Sequence, residues 1–387
     1  MTTTNIAAGL SNPRLERPDA DQPKAAAKGK RDDYYVASQW KLIWWKFRKH
    51  KLAIIASPIL VVLYTCAIFA DFLSPTIPDT RYTEYKWAPP NAIRFADENG
   101  LRAPYVQDMT RKTDPQTFKR TFAPDPEKKI PVYFFGKGET HMLLGLIPTD
   151  IHLFTSAGPV FILGTDQLGR DLFTRILHGS RISLSIGLVS VSITFFLGLM
   201  LGGIAGYFGG MIDNAIMRVI DLIVCIPQIP LWMALAAALP RDWSPLKMYM
   251  GMVLVLSMIS WVGLARVVRG KLLSLRDEDF CTASRLAGAS DMRVIVRHLL
   301  PSFASYIIVA LTLSIPGTIL GETALSFLGL GLQPPVVSWG VLLRDAQNLE
   351  TIAHHDWLLA PIAWVVVTVL MFNFLGDGLR DAADPYK

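Results

Sequence analysis

Six apolar blocks leave this 387-residue chain few folds to adopt. They run roughly over Leu52–Leu73, Ile182–Tyr207, Ala215–Leu239, Met248–Val268, Phe303–Gly321 and Trp357–Gly376. Each is near the ~20 residues a helix needs to cross about 30 Å of hydrocarbon. Inside a bilayer every backbone N–H and C=O must find its partner within the chain, so the expected class is an all-α polytopic membrane protein with six transmembrane helices. Arg218, Asp221, Pro227 and Pro230 interrupt the third block, and such breaks are tolerated only where backbone faces protein or water. Composition agrees, with 51% hydrophobic and 18% charged residues, an unusual balance for a soluble domain.

Lys and Arg in the flanks set the expected orientation. Lys41, Lys46, Arg48, Lys49 and Lys51 precede the first block, and Arg266, Arg269, Lys271, Arg276, Arg285, Arg293 and Arg297 stand between the fourth and fifth. Both sets belong in the cytosol, and an even number of spans returns the C-terminus there. The +6 net charge is then a topology signal and calls for no nucleic-acid partner. Residues 1–51 divide into a polar tail, expected to be disordered to about residue 35, and a Trp40–Arg48 stretch. Its aromatic and basic mixture suits either an interfacial helix or the collar of the first span. The first span itself is expected over 52–73, too deep and too long for a cleaved export signal.

Enzyme chemistry finds little footing. The three Gly-Lys pairs are followed by Arg31, Gly138 and Leu272 rather than Ser or Thr, so no phosphate-binding loop exists, and no zinc-protease helix, nucleophile elbow or dinucleotide fingerprint occurs. Cys66 and Cys225 fall in spans and Cys281 outside them, which gives no disulfide framework. His354, His355 and Asp356 are a loop cluster whose incidental reading outweighs a metal site. No catalytic, cofactor or metal residue is expected. If ATP drives this chain, a partner hydrolyses it.

A polar, basic segment between the fourth and fifth spans, 279–301, reads as a compact elbow facing the cytosol. Asp279 to Ala287 can form a short helix, Gly288 a permissive turn, Ser290 the cap of a second helix from Asp291, and Pro301 its end. Phe280, Ala283 and Ala287 share one face at i, i+3 and i+7, offering an aromatic knob and small residues to a groove in another protein. Such an element suits transport driven by a separate motor. A plain basic connector is the alternative.

At these residues the chain resembles the permease subunits of ATP-driven, binding-protein-dependent importers, whose docking loop carries Glu-Ala-Ala, then Gly, then an apolar residue, Leu and Pro. Here Thr282-Ala283-Ser284 occupies the triplet, with Gly288, His298, Leu300 and Pro301 following. Thr282 replaces the acid, which puts the family's usual polar contact in question. Other motifs resemble the second permease of oligopeptide and dipeptide importers: Leu163 to Asp171 with Arg175, Gly179, Arg181 and Ser183, and Gly206 to Gly210 with Asp213, Met217, Arg218, Asp221 and Pro227. Two more are Leu325 to Gly331 with Pro334, Pro335, Ser338, Trp339 and Gly340, and Gly376 to Asp381 with Asp384 and Pro385. The resemblance covers about residue 160 to the end, a core of 166–387, plus the first span.

It implies an importer permease fold in the bacterial inner membrane, both termini cytosolic, and cargo most often peptide, with opines, oligosaccharide derivatives and nickel chelates as alternatives. It also implies a homologous second permease, two ATPase subunits holding ATP and Mg, and an extracytoplasmic substrate-binding protein. A secondary transporter or channel is the remote rival, though no repeat or midmembrane acid cluster speaks for it.

Four further readings rest on the residues. Gly198, Gly202 and Gly206 form a small-residue stripe that lets another helix approach. Asp213, Arg218 and Asp221 are expected to pair among themselves, since an unpaired charge there is expensive. Glu322, placed at the outer end of the fifth span, can hold the neighbouring gate loop by hydrogen bonds or meet a peptide amino terminus, with Trp339 behind that loop as a second gate or cargo-path candidate. Residues 74–165 form an insert expected to be a small extracytoplasmic domain, with Ile130–Phe135 and Met142–Ile147 as candidate strands separated by Gly136 and Gly138.

Overall fold

In a computed structural model, residues 38–97, 100–113, 115, 120–143 and 145–384 are described. The N-terminal tail expected to be disordered lies outside these residues. Helix α1 (Gln39–Phe47) is followed by α2 (Lys51–Ile68), and the two are separate because Arg48–His50 turns the chain and the His50 ring accepts from Ala53 N at 3.2 Å, capping α2. Trp40 and Trp44 are exposed on α1, while Phe47 is buried against Ala53 and Ala382. The first span is shorter than expected. It ends at Ile68, and Phe69 breaks the helix before a four-residue piece, α3 (Ala70–Leu73).

The insert folds as two small antiparallel sheets. Strands β1 (Arg94–Asp97), β2 (Gly100–Thr113), β3 (Arg120–Phe134) and β6 (Phe154–Ser156) make a sheet in the order β1-β2-β3-β6; β4 (Lys137–Leu143) and β5 (Ile147–Ile151) form a separate hairpin. Ile130–Phe135 largely coincides with the end of β3. Met142–Ile147 does not form one strand, because Gly145 takes φ +70 and turns the chain there, and Gly138 lies inside β4 rather than between strands. Val106, Val132, Phe154 and Val160 form the core of this unit.

The remaining helices are α4 (Leu172–Phe208), α5 (Gly210–Val224), α6 (Gln228–Ala237), α7 (Pro245–Leu275), α8 (Asp279–Leu286), α9 (Asp291–Val294), α10 (Ala304–Phe327), α11 (Trp339–Arg344), α12 (Leu349–His354) and α13 (Ala360–Ala383). Among the described residues, five helices are long and apolar enough to span a membrane, and α5 with α6, bent by 86°, passes the same test only as a pair, which makes six if the pair is one broken span. The bend falls at Cys225–Pro227, because Pro227 has no N–H to continue the ladder and disfavours helical backbone at Ile226.

Both α4 and α7 are longer than their apolar blocks. Asp171 caps α4 by accepting from Thr174 N at 2.8 Å, starting it ten residues before Ile182, and α7 carries Arg266, Arg269 and Lys271 on its final turns rather than in a loop. At about 1.5 Å per residue, each exceeds the hydrocarbon thickness and projects beyond it. The stripe of Gly198, Gly202 and Gly206 is where they meet. A Cβ at Gly202 would stand 2.5 Å from Ala265 O, and one at Gly206 2.8 Å from Arg269 O. On α4, Leu60 and Leu63 of α2, Ile315 and Ile319 of α10 and Val365 and Phe372 of α13 close the main core.

Candidate functional site

The elbow is a helix-turn-helix set on the ends of α4 and α7. Its first helix, α8, stops at Leu286, and Gly288 turns the chain with φ +82, a conformation that side chains disfavour; no atom lies within 4 Å of a Cβ built there, so the requirement is conformational rather than steric. Ser290 has extended N-cap backbone before α9 but makes no side-chain capping bond. The second arm continues as a π-turn over Ile295–Leu299 and a last turn Leu300–Ser302, so Pro301 lies within the arm and the break before α10 falls at Phe303. One side of the elbow is core: Cys281, Val294, Ile295 and Leu299 pack with Leu264, Val268 and Leu272. Burial pushes the Cys281 thiol up, leaving it a neutral packing group.

The opposite side is open. Asp279, Phe280, Thr282, Ala283 and Ala287 are exposed, Ser284 is half-buried, and Leu286 keeps 84% of its surface. Met292 and Val296 extend this apolar patch onto the second arm.

Tyr207, which the sequence reading passed over, joins the elbow to α4. Its hydroxyl donates to Asp291 Oδ1 at 2.5 Å and accepts from Arg285 Nε at 3.3 Å, the Arg285 guanidinium lies 5.2 Å from its ring centroid, and its carbonyl accepts from Arg276. One side chain thus contacts both arms. The sequence placed it only within the Gly206 to Gly210 motif at the end of the second span, with no role in the elbow.

Glu322 stands on the last turns of α10, because that helix runs on to Phe327 instead of ending near Gly321. Its carboxylate is fully buried and accepts from Ser338 (2.7 Å), Ser326 (2.8 Å) and Ser183 (3.2 Å), while the Ser183 hydroxyl also accepts from Trp339 N. Three elements, α4, α10 and the loop leading to α11, meet on this one group. Trp339 is fully buried as well. Neither candidate lines an open passage in this conformation: the hydroxyls take the place that a cargo amine would need.

A second knot lies beyond α11. Buried Asp166 accepts from Leu168 N, Arg170 N, Arg170 Nε and Arg175 Nη1, and Arg175 reaches Asp345 Oδ2 at 3.6 Å beyond α11. Buried charges are tolerated only when paired and hydrogen-bonded in this way. Gly169 turns this motif with φ +76 directly under the Tyr82 carbonyl.

The expected pairing among Asp213, Arg218 and Asp221 does not occur. Asp213 instead takes Arg269 in a two-pronged pair, and Asp221 takes Arg266 at 2.7 Å, because α7 extends far enough to bring its arginines alongside α5. His355, weighed as a metal ligand, stacks on Trp87 at 4.6 Å. A cleft of about 730 Å³ near the elbow is bounded by Lys271, Ser302, Tyr306, Leu313 and Arg380. Because α7, α10 and α13 each contribute to it, no local motif announced it.

Long spanning helices with an exposed elbow between two of them define the class, a polytopic membrane protein. The family model of binding-protein-dependent transport system inner membrane components matches residues 198–386, and that of the N-terminal TM domain of oligopeptide transport permease C matches residues 38–90. Neither covers 91–197, which contains the six strands of the described residues. The dipeptide transport system permease protein DppC of Bacillus subtilis (strain 168) is 42% identical over 224 residues, 57% of this chain and 68% of that protein. The oligopeptide permease OppC of the same organism is 35% identical, with 57% and 70% covered, and the glutathione permease GsiD of Pectobacterium atrosepticum 41% identical, with 58% and 72% covered. A solved structure of the MetNI methionine ABC transporter overlays with TM-score 0.42 at 20% identity, over 54% of this chain and 95% of that one.

The chain belongs to the inner-membrane permease family of binding-protein-dependent ABC importers, in its oligopeptide and dipeptide C-type branch. It is a transport subunit rather than an enzyme, and membership implies a partner permease, an ATPase and a binding protein.

Proposed function

We propose that this chain forms half of the translocation path of a peptide importer, in a heterodimer with a homologous permease. Two ATPase subunits hold ATP and Mg, and a binding protein delivers cargo from outside. Both termini lie in the cytosol and the 74–165 insert outside it, as the Lys and Arg placement around α2 and α7 favours. Relatives named for dipeptides, oligopeptides and glutathione share a backbone with free termini as their common cargo chemistry.

The elbow carries this reading. Its apolar side is buried on α4 and α7 while Phe280, Ala283 and Leu286 are left to a partner, so a push on the exposed face moves α4 and α7 together. Alternating access then follows from ATPase closure below, with Glu322 and its three serines releasing the gate loop above. Cargo passes through chemically unchanged.

The test is ATP-dependent uptake of a labelled dipeptide into proteoliposomes containing the complete transporter. Gly288→Pro cannot adopt φ +82 and is expected to abolish accumulation while all subunits still co-purify. Uptake at the wild-type level in an intact complex would sink the coupling role. Uptake of an opine or a nickel chelate, with none of dipeptide, would overturn the cargo class alone.

A further inference from the structure

The hairpin of β4 and β5 has a tip that is wrong for water. It reads Met142-Leu143-Leu144-Gly145-Leu146-Ile147, where solvent-facing hairpin turns draw on Asn, Asp, Gly and Ser. Leu146 keeps 78% of its surface, Ile147 59% and Met142 50%. Two N–H groups of the turn are satisfied within it. Gly145 N donates to Met142 O and Leu146 N to Leu143 O, both at 3.1 Å, and Pro148, paired with Met142, has no N–H to satisfy.

The path of the hairpin says where the tip goes. At its base, Glu139 accepts from Ile77 N at 2.9 Å and from the Thr80 hydroxyl, and the His152 ring bridges Ser74 O and Glu139 O. Four residues further along β4, Leu143 shares an almost wholly carbon-lined recess with Val62, Cys66, Phe69, Phe72 and Leu73. The strand therefore descends from residues 77–80, beyond α3, to the flank of α2. Val62 lies six residues inside the end of α2 at Ile68, a depth of about 9 Å. Val61, Val62 and Ile68 are exposed beside the recess, on the side that a spanning helix turns to lipid.

We infer that the β4–β5 hairpin is a membrane anchor, its tip of Met142, Leu146 and Ile147 seated among phospholipid acyl chains beside the first span. The recess at Leu143 takes an acyl chain, and the hairpin fixes the height of the insert over the bilayer. Binding of an interfacial element strengthens with the apolar area it buries in the acyl-chain boundary.

The experiment places a nitroxide at Leu146→Cys, with Cys66, Cys225 and Cys281 replaced by alanine, in the complete transporter in phosphatidylethanolamine/phosphatidylglycerol nanodiscs. Collision with molecular oxygen is compared with collision with a water-soluble nickel chelate. Thr140→Cys, exposed on the same hairpin above the tip, is the reference. The oxygen-to-nickel ratio at position 146 is expected to exceed that at 140 several-fold. A ratio equal to that at 140 puts the tip in water and overturns the inference. Exclusion of both reagents does so too, since the tip is then covered by a sibling permease or binding protein. Ile147→Cys gives an independent reading should the first variant fail to assemble.

Discussion

Tyr207→Phe removes one oxygen from the joint between α4 and the elbow and leaves the ring in place. Two hydrogen bonds go with it, to Asp291 at 2.5 Å and from Arg285 at 3.3 Å, both involving a charged partner. Such bonds contribute roughly 1.5–3 kcal/mol each when well formed. The longer one is weak, Asp291 is exposed to solvent, and the ring contact with Arg285 survives, so about 1–2 kcal/mol is expected in total. That corresponds to a roughly 5- to 30-fold rise in the population of the elbow lifted off α4. Hydrogen exchange on the assembled transporter reads this directly: amides in α8 and α9 lose protection by that factor, while α4 and the α7 segment beside Gly202 keep theirs. Unchanged exchange in the elbow would refute the role of Tyr207 as its tether, and an equal loss along α4 and α7 would show a packing defect instead.

Three other outcomes follow from the same geometry. Gly202→Ala, whose methyl would meet Ala265 O at 2.5 Å, is expected to cost about 1–3 kcal/mol in detergent melting, while Gly203→Ala, with only Leu272 at 3.9 Å, stays close to wild type; equal melting points would contradict the close approach of α4 and α7. Glu322→Ala leaves three buried serines without their acceptor at about 1–3 kcal/mol for each group left unpaired, so a cysteine-reactive probe at Ser338→Cys should label faster; unchanged labelling would argue against a latch. Burial raises the Asp171 carboxyl to about 6 against the opposing Thr174 bonds, so its contribution to folding is fully present below its unfolded value near 3.8 and is lost as pH rises through 6. Asp171→Asn keeps a capping side chain and should flatten the stability difference between pH 4 and 7, which a pH series of thermal melts checks.

The span count, the break at Pro227, the glycine stripe and the elbow were legible in the chain, because each depends on local quantities: apolar length, a missing N–H, small residues at a helical period, and a turn requiring positive φ. Partner choice was not. Asp213 and Asp221 had near neighbours of opposite sign, yet they pair with Arg269 and Arg266, since α7 runs on through charged residues that hydropathy assigned to a loop. Likewise the polar start of α4 hid a helix begun by Asp171, and Glu322 read as an end residue because its apolar block stopped before its helix did. Tyr207, the Glu322 serines and the Asp166–Arg175–Asp345 knot each join residues far apart in sequence, so only packing brings them together. Sequence alone determined that this protein belongs in a membrane and carries a helix-turn-helix elbow between two of its spans; the tertiary structure decided which side chains bind that elbow and the loop before α11 to the spans, because a desolvated charge takes whichever partner the packed helices place within reach.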